Sequence, residues 1–292
     1  MQAELILDAK ATLGEGPAWD SKTQTLYWVD ILEKRIYAGT RIIAQLDDLI
    51  GCLAPCKNGN LILGTRLGFA DLNPFDHTQG RPDTVQLTFL ATLDELPTNR
   101  MNDGKCDPSG RFLAGTMDMN EKEASGSFYS FDGKNVTRLL DGIRISNGLT
   151  WSVDHKTFYY IDTPTRVVKA FDYDLATGQI ANPRVTVRVP ESLGWPDGMT
   201  SDTNGNLWIA IWGGAQVTKW NPSTGELLEQ ISVPALHTSA CVFGGKDMNE
   251  LYVTSARVGM SEADLKRYPL SGGLFKVITS VAGMPTFEFI AR

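Results

Sequence analysis

The chain has 292 residues, 42% of them hydrophobic and 21% charged, with a net charge of −7, the make-up of a globular protein. No run of Lys and Arg supplies the concentrated positive patch that a nucleic-acid or anionic-membrane partner needs, so a neutral substrate or a bound cation fits better. The opening MQAELILDAK lacks the basic start and longer apolar core of a secretory signal. No apolar stretch approaches the roughly 20 residues that span a bilayer, and a cytoplasmic location is expected.

Taken in chain order, one strand pattern recurs. Residues 26–30 (LYWVD), 61–65 (LILGT), 112–116 (FLAGT), 158–162 (FYYID), 207–211 (LWIAI) and 251–255 (LYVTS) are six short β-branched and aromatic runs, their first residues about 35 to 51 apart. Most follow a hairpin signal, at residues 20–24, 58–60, 107–110, 154–156 and 202–205. There Asp or Asn bonds its own backbone and Gly supplies positive φ. Third strands follow at 168–172 and 217–220, and only 261–267 reads as a helical turn or two. Six units of three or four strands, each needing neighbours on both faces, predict an all-β, six-bladed β-propeller. Residues 1–292 are read as one such domain. The N-terminal strand, at 3–9, is expected to close the last blade beside 274–277 and 287–291.

The four cysteines, Cys52, Cys56, Cys106 and Cys241, contain no C-x2-C pair, which argues against a structural zinc site, and Cys52 and Cys56 read as reduced residues of strands or turns. About 9 to 11 positions upstream of four of the repeated strands stands a polar residue followed by Gly: Glu15, Asp103, Asn147 and Asp197. Asp-Gly and Asn-Gly also occur as plain turn dipeptides. Four in register place carboxylates and an amide at the start of the innermost strands, aimed at one spot. Facing carboxylates cannot all stay ionised uncompensated, and one divalent cation held by oxygens (Ca²⁺, Mg²⁺ or Mn²⁺) resolves the conflict. The histidines His77, His155 and His237 show no zinc spacing, and neither a G-x-S-x-G elbow nor a phosphate-binding Gly loop is present.

With these motifs the sequence resembles the family of senescence marker protein 30 (regucalcin), gluconolactonases and the luciferin-regenerating enzyme. The likeness runs along essentially the whole chain. It rests on residues 13–17 (LGEGP), 99–105 (NRMNDGK), 115–117 (GTM), 145–149 (ISNGL), 160–162 (YID), 196–198 (PDG) and 243–245 (FGG), while 257–261 (RVGMS) and 268–273 (YPLSGG) look most like bacterial aldonolactonases. The resemblance implies a propeller that opens sugar lactones with one cation. Glu15, Asn147 and Asp197 would hold the metal, and Arg100 and Asn102 the substrate. Asp103 is grouped with them as a residue that orients its neighbours. Ca²⁺ is the expected ion for hard oxygen ligands, with Zn²⁺, Mn²⁺, Mg²⁺ and Fe²⁺ also compatible. Asp197 is the expected general base. A further substrate-contacting acid of animal members falls by counting on Asn120, with Asp118 or Glu121 as stand-ins. A calcium-binding regulatory propeller and a metal-dependent phosphotriesterase are the alternative functions.

Overall fold

A continuous apolar run of five or six residues is a strand that must be covered on both faces. In the computed structural model, which describes residues 1–74 and 87–291, each of the six runs lies in the second strand of a four-stranded antiparallel sheet. The six sheets stand around one axis as a six-bladed β-propeller. Their innermost strands are Gly14–Asp20, Ile50–Pro55, Asn99–Cys106, Ser146–Trp151, Trp195–Ser201 and His237–Gly244, and the blades are numbered one to six in that order. Among the described residues no helix is long and apolar enough to cross a membrane. The single α-helix among them, Glu262–Arg267, begins in a capping box between Ser261 and Asp264.

Among the described residues the core divides into six apolar clusters, one between each pair of neighbouring blades. Phe128 of blade three meets Phe158 and Tyr160 of blade four, with ring centroids 5.5 and 4.8 Å apart. Trp19 of blade one stacks on Tyr252 of blade six at 5.7 Å. Each such ring contributes about 2 kcal/mol on leaving water, and none could do so on an isolated blade. All four cysteines are buried free thiols in or beside this packing.

The chain ends behave differently from each other. Glu4–Leu7 pairs antiparallel with Leu274–Ile278 as the outermost strand of blade six. Residues 287–291 do not join that sheet, contrary to the sequence expectation. The Phe289 amide donates to the Pro55 carbonyl at 2.8 Å, its carbonyl accepts from Lys57 at 2.9 Å, and Ile290 donates to Gly110 at 2.9 Å. The reason is local: the edge beside Leu274–Ile278 is already taken, whereas Phe289 finds an apolar seat against Phe131, with centroids 5.7 Å apart. Gly283 likewise bridges Asp202. Cys56, Gly110 and Asp202 all follow the ends of innermost strands, so this segment crosses the ring on the side away from the strand starts.

The hairpin signals become side-chain-capped turns, and one of them also joins two blades. Asp107 is fully buried. It accepts from the Ser109 and Arg111 amides at 2.9 and 2.8 Å, from Arg111 Nε at 2.7 Å and from the Tyr173 hydroxyl of blade four at 2.5 Å. Arg111 in turn reaches the Leu175 and Ala176 carbonyls. Removing the carboxylate strands a buried guanidinium. Asp107→Ala is therefore expected to lower unfolding stability by about 3 kcal/mol in urea titration. Asp154→Ala, at the equivalent but exposed turn of blade four, should cost about 1 kcal/mol or less.

Candidate active site

The site begins with a register slip that all six blades share. Pairing between the innermost and second strands shifts between Glu15 and Ala18, Ile50 and Cys52, Met101 and Gly104, Asn147 and Leu149, Pro196 and Met199, and Thr238 and Cys241. Such a bulge bends the strand and re-aims a side chain. The residues at the bulge also sit where neighbouring inner strands touch. A Cβ on Gly148 would lie 2.5 Å from the Asp197 carbonyl oxygen, and one on Gly198 would lie 2.4 Å from the Ala240 Cβ. The X-Gly pairs at Glu15, Asn147 and Asp197 are thus strand residues, not turns: X lines the axial cavity, and Gly148 and Gly198 admit the next blade.

Glu15, Arg100, Asn102, Asn147 and Asp197 open into one cavity of about 510 Å³ at the side of the ring where the innermost strands start. Hydrogen bonds orient the amides. The Thr163 hydroxyl gives its single proton to the Pro196 carbonyl at 2.8 Å, so it can only accept from Asn147, whose Nδ2 donates to it at 2.9 Å. Asn147 Oδ1 is thereby turned inward, where Asn102 Nδ2 donates to it at 3.2 Å. Asn102 Nδ2 also donates to the Ser146 carbonyl at 2.7 Å, while its Oδ1 accepts from Arg100 Nη1 at 2.7 Å. Asn102 therefore turns its nitrogen toward Asn147 and its oxygen toward the guanidinium.

The acids are under strain from one another. Burial, and then the charge of Asp103, pushes Glu15 up to about 8, against the pull of the Gly16 amide. Burial, then Glu15 and Asp103, raises Asp197 well above the usual carboxylate range. Asp197 Oδ1 is buried with no hydrogen-bond partner among the described residues. An orphaned, buried carboxylate oxygen beside a second acid and an inward amide oxygen is a donor set that fits one hard divalent cation. Among the described residues no three His, Cys, Asp or Glu side chains converge for a metal; the set here is two acids and an amide.

Asp103 requires a correction. At the bulge between Met101 and Gly104, Asn102 lines the cavity and Asp103 does not. It is buried on the far side of the bulge, accepting from the Gly104 amide at 2.7 Å and lining a small space with Lys105, Met199, Ala240 and Cys241. It does not line the cavity that holds Asn102, and its charge raises the proton affinities of Glu15 and Asp197.

Of the three positions after the Gly-Thr-Met motif, Glu121 lines the cavity. Asp118 instead accepts from the Asn120, Lys122 and Glu123 amides and holds the loop. Sequence reasoning missed Thr163, whose signal was its place directly after Tyr160-Ile161-Asp162. It also missed Trp195 and Trp212, which line the wall. His155 meets Phe287 edge-on and His237 stacks on Trp212, while His77 lies outside the described residues.

Residues 13–257 match the SMP-30/gluconolactonase/LRE-like region. Regucalcin of Danio rerio is 37% identical over 300 residues, covering 99% of this chain and 98% of that protein. A luciferin-regenerating enzyme superposes with a TM-score of 0.90 at 31% identity, covering 98% of either chain. A calcium-binding protein, regucalcin from Agrobacterium tumefaciens, superposes with a TM-score of 0.89 at 27% identity, covering 100% of this chain and 97% of that one. The chain belongs to the SMP-30/gluconolactonase/LRE-like family.

Proposed function

We propose that the protein is a metal-dependent sugar lactonase that opens an aldonolactone to the aldonic acid. The observation that carries this reading is the orphaned Asp197 Oδ1 at the floor of a cavity that also receives Glu15 and Asn147. Glu15, Asn147 and Asp197 would hold the cation, and Ca²⁺ is the ion proposed because every ligand is a hard oxygen. When bound, the cation supplies Lewis-acid polarisation of the lactone carbonyl.

The remaining chemistry falls to the chain's own side chains. Arg100, fixed through Nη1 on Asn102 and the Met101 carbonyl, presents its planar fork to substrate oxygens. Burial lowers its proton affinity while Glu15 opposes the change. One oxygen of Asp197 takes the proton from the attacking water as the new C–O bond forms. The proton passes to the ring oxygen as the old C–O bond breaks, which leaves one carboxylic acid and one hydroxyl.

The direct test is a pH-indicator assay of metal-stripped protein on a panel of aldonolactones, adding one cation at a time. Acid release restored by a cation is the expected result. A folded, cation-binding protein that opens none of them would overturn the reading and favour a calcium-binding or phosphotriester-cleaving role. Asp197→Ala is expected to lose about a hundredfold or more in kcat, while retaining the fold by circular dichroism.

The raised acids also predict how stability varies with pH. Glu15 binds its proton more tightly folded than unfolded. Its contribution is therefore present below pH 4.5 and lost as pH rises to about 8. The Tm of metal-stripped protein should fall across that window, and Glu15→Gln should flatten the fall. A divalent cation should raise Tm more at the alkaline end than at the acid end.

A further inference from the structure

The cavity has an apolar stretch of wall, with Leu32, Met119 and Val258 among its residues, beside the charged Glu121 and Arg144. Two tryptophans stand out there. Trp195 and Trp212 are direct cross-strand partners at the cavity end of blade five, and each is braced by a neighbouring blade. Arg166, from the loop after the second strand of blade four, lies 3.4 Å over the Trp195 ring and is anchored on the Gly194 carbonyl. His237, at the start of blade six, stacks on Trp212 with centroids 4.2 Å apart and planes 27° apart. Trp195 nonetheless remains 39% exposed.

A bulky aromatic plate held by a guanidinium and still partly exposed is suited to a ring stacked on it, because an immobilised plate loses little freedom on binding. Trp195 is two positions from Asp197, and both open into the cavity. A strand rise of about 3.3 Å per residue spaces the two backbone positions about 7 Å apart, room for roughly one further ring. The volume of about 510 Å³ also lies within the roughly 300–1,000 Å³ of sites that hold drug-sized molecules. A single polyhydroxylated ring at the floor would leave the apolar wall wet.

We propose that Trp195 and Trp212 form a stacking subsite, so that the favoured lactone carries a second, flat-faced ring beside the one that is opened. The proposal rests on the lactonase reading and narrows its substrate class. The apolar face of a pyranose and an aryl ring both satisfy the chemistry. Three substrates separate them: glucono-δ-lactone, a disaccharide aldonolactone and a phenyl-substituted δ-valerolactone.

With cation present, kcat/KM for at least one two-ring lactone should exceed that for glucono-δ-lactone about tenfold or more, mainly through KM. Trp195→Ala should collapse that ratio toward one, and Trp195→Phe should restore most of it. The two arms identify the second ring as glycosyl or aryl. Equal kcat/KM for all three substrates, or an equal loss on one-ring and two-ring lactones in Trp195→Ala, overturns the proposal.

Calorimetric titration with the matching lactams, which keep ring and carbonyl but resist hydrolysis, supplies a readout independent of turnover. Tighter binding of a two-ring lactam, lost in Trp195→Ala, supports the subsite even if no lactone is turned over, a result that would sink only the lactonase reading. Binding of one-ring and two-ring lactams alike overturns the subsite itself.

Discussion

Six innermost strands begin around one axis, and the crowding there is the constraint on which the rest depends. Adjacent strands approach so closely that Gly148 and Gly198 have no room for a Cβ. The register slip repeated in every blade lets the chain leave this crowded centre while turning one side chain toward the axis. A device that closes the ring therefore also presents Glu15, Asn102, Asn147 and Asp197 to one cavity. The apolar clusters between blades supply the stabilisation that holds those strands in place.

That convergence has an electrostatic cost, which belongs to the site and not to the fold. Glu15 and Asp197 are buried together; Asp103 raises the proton affinity of both, and Glu15 raises that of Asp197. Asp103 has its own compensation nearby in Lys105, although burial still shifts both away from their ordinary values. Asp197 Oδ1 has no such relief. Thr163 adds a quieter contribution, since its one proton decides which end of the Asn147 amide faces inward.

The blade count and the inner-strand positions were legible because repeat spacing and X-Gly pairs are local signals. The strand at residues 207–211 reads as buried on both faces and lies in Leu207–Trp212. The bulge was not legible, because it depends on pairing between strands, and so Asn102 and Asp103 could not be assigned to opposite sides. Nor could the course of residues 287–291, which is set by a seat on Phe131 contributed by a distant blade. Trp195 read only as the residue before a motif. Its place in the wall depends on Arg166 and Trp212, which no sequence window joins to it.

The C-terminal segment gives the ring a closed end. It passes beneath the axis from Asp202 toward Cys56 and Gly110. Two spaces lined by this segment and by Lys105 are narrow, about 10 and 20 Å³. The cavity opens on the side of the strand starts, and the segment lies across the opposite end of the ring. For the proposed lactonase, a product formed at the cavity floor would leave past the same walls by which substrate enters, so arrival and departure would compete for one doorway. Residence of the product acid beside the carboxylates would then be part of the turnover time.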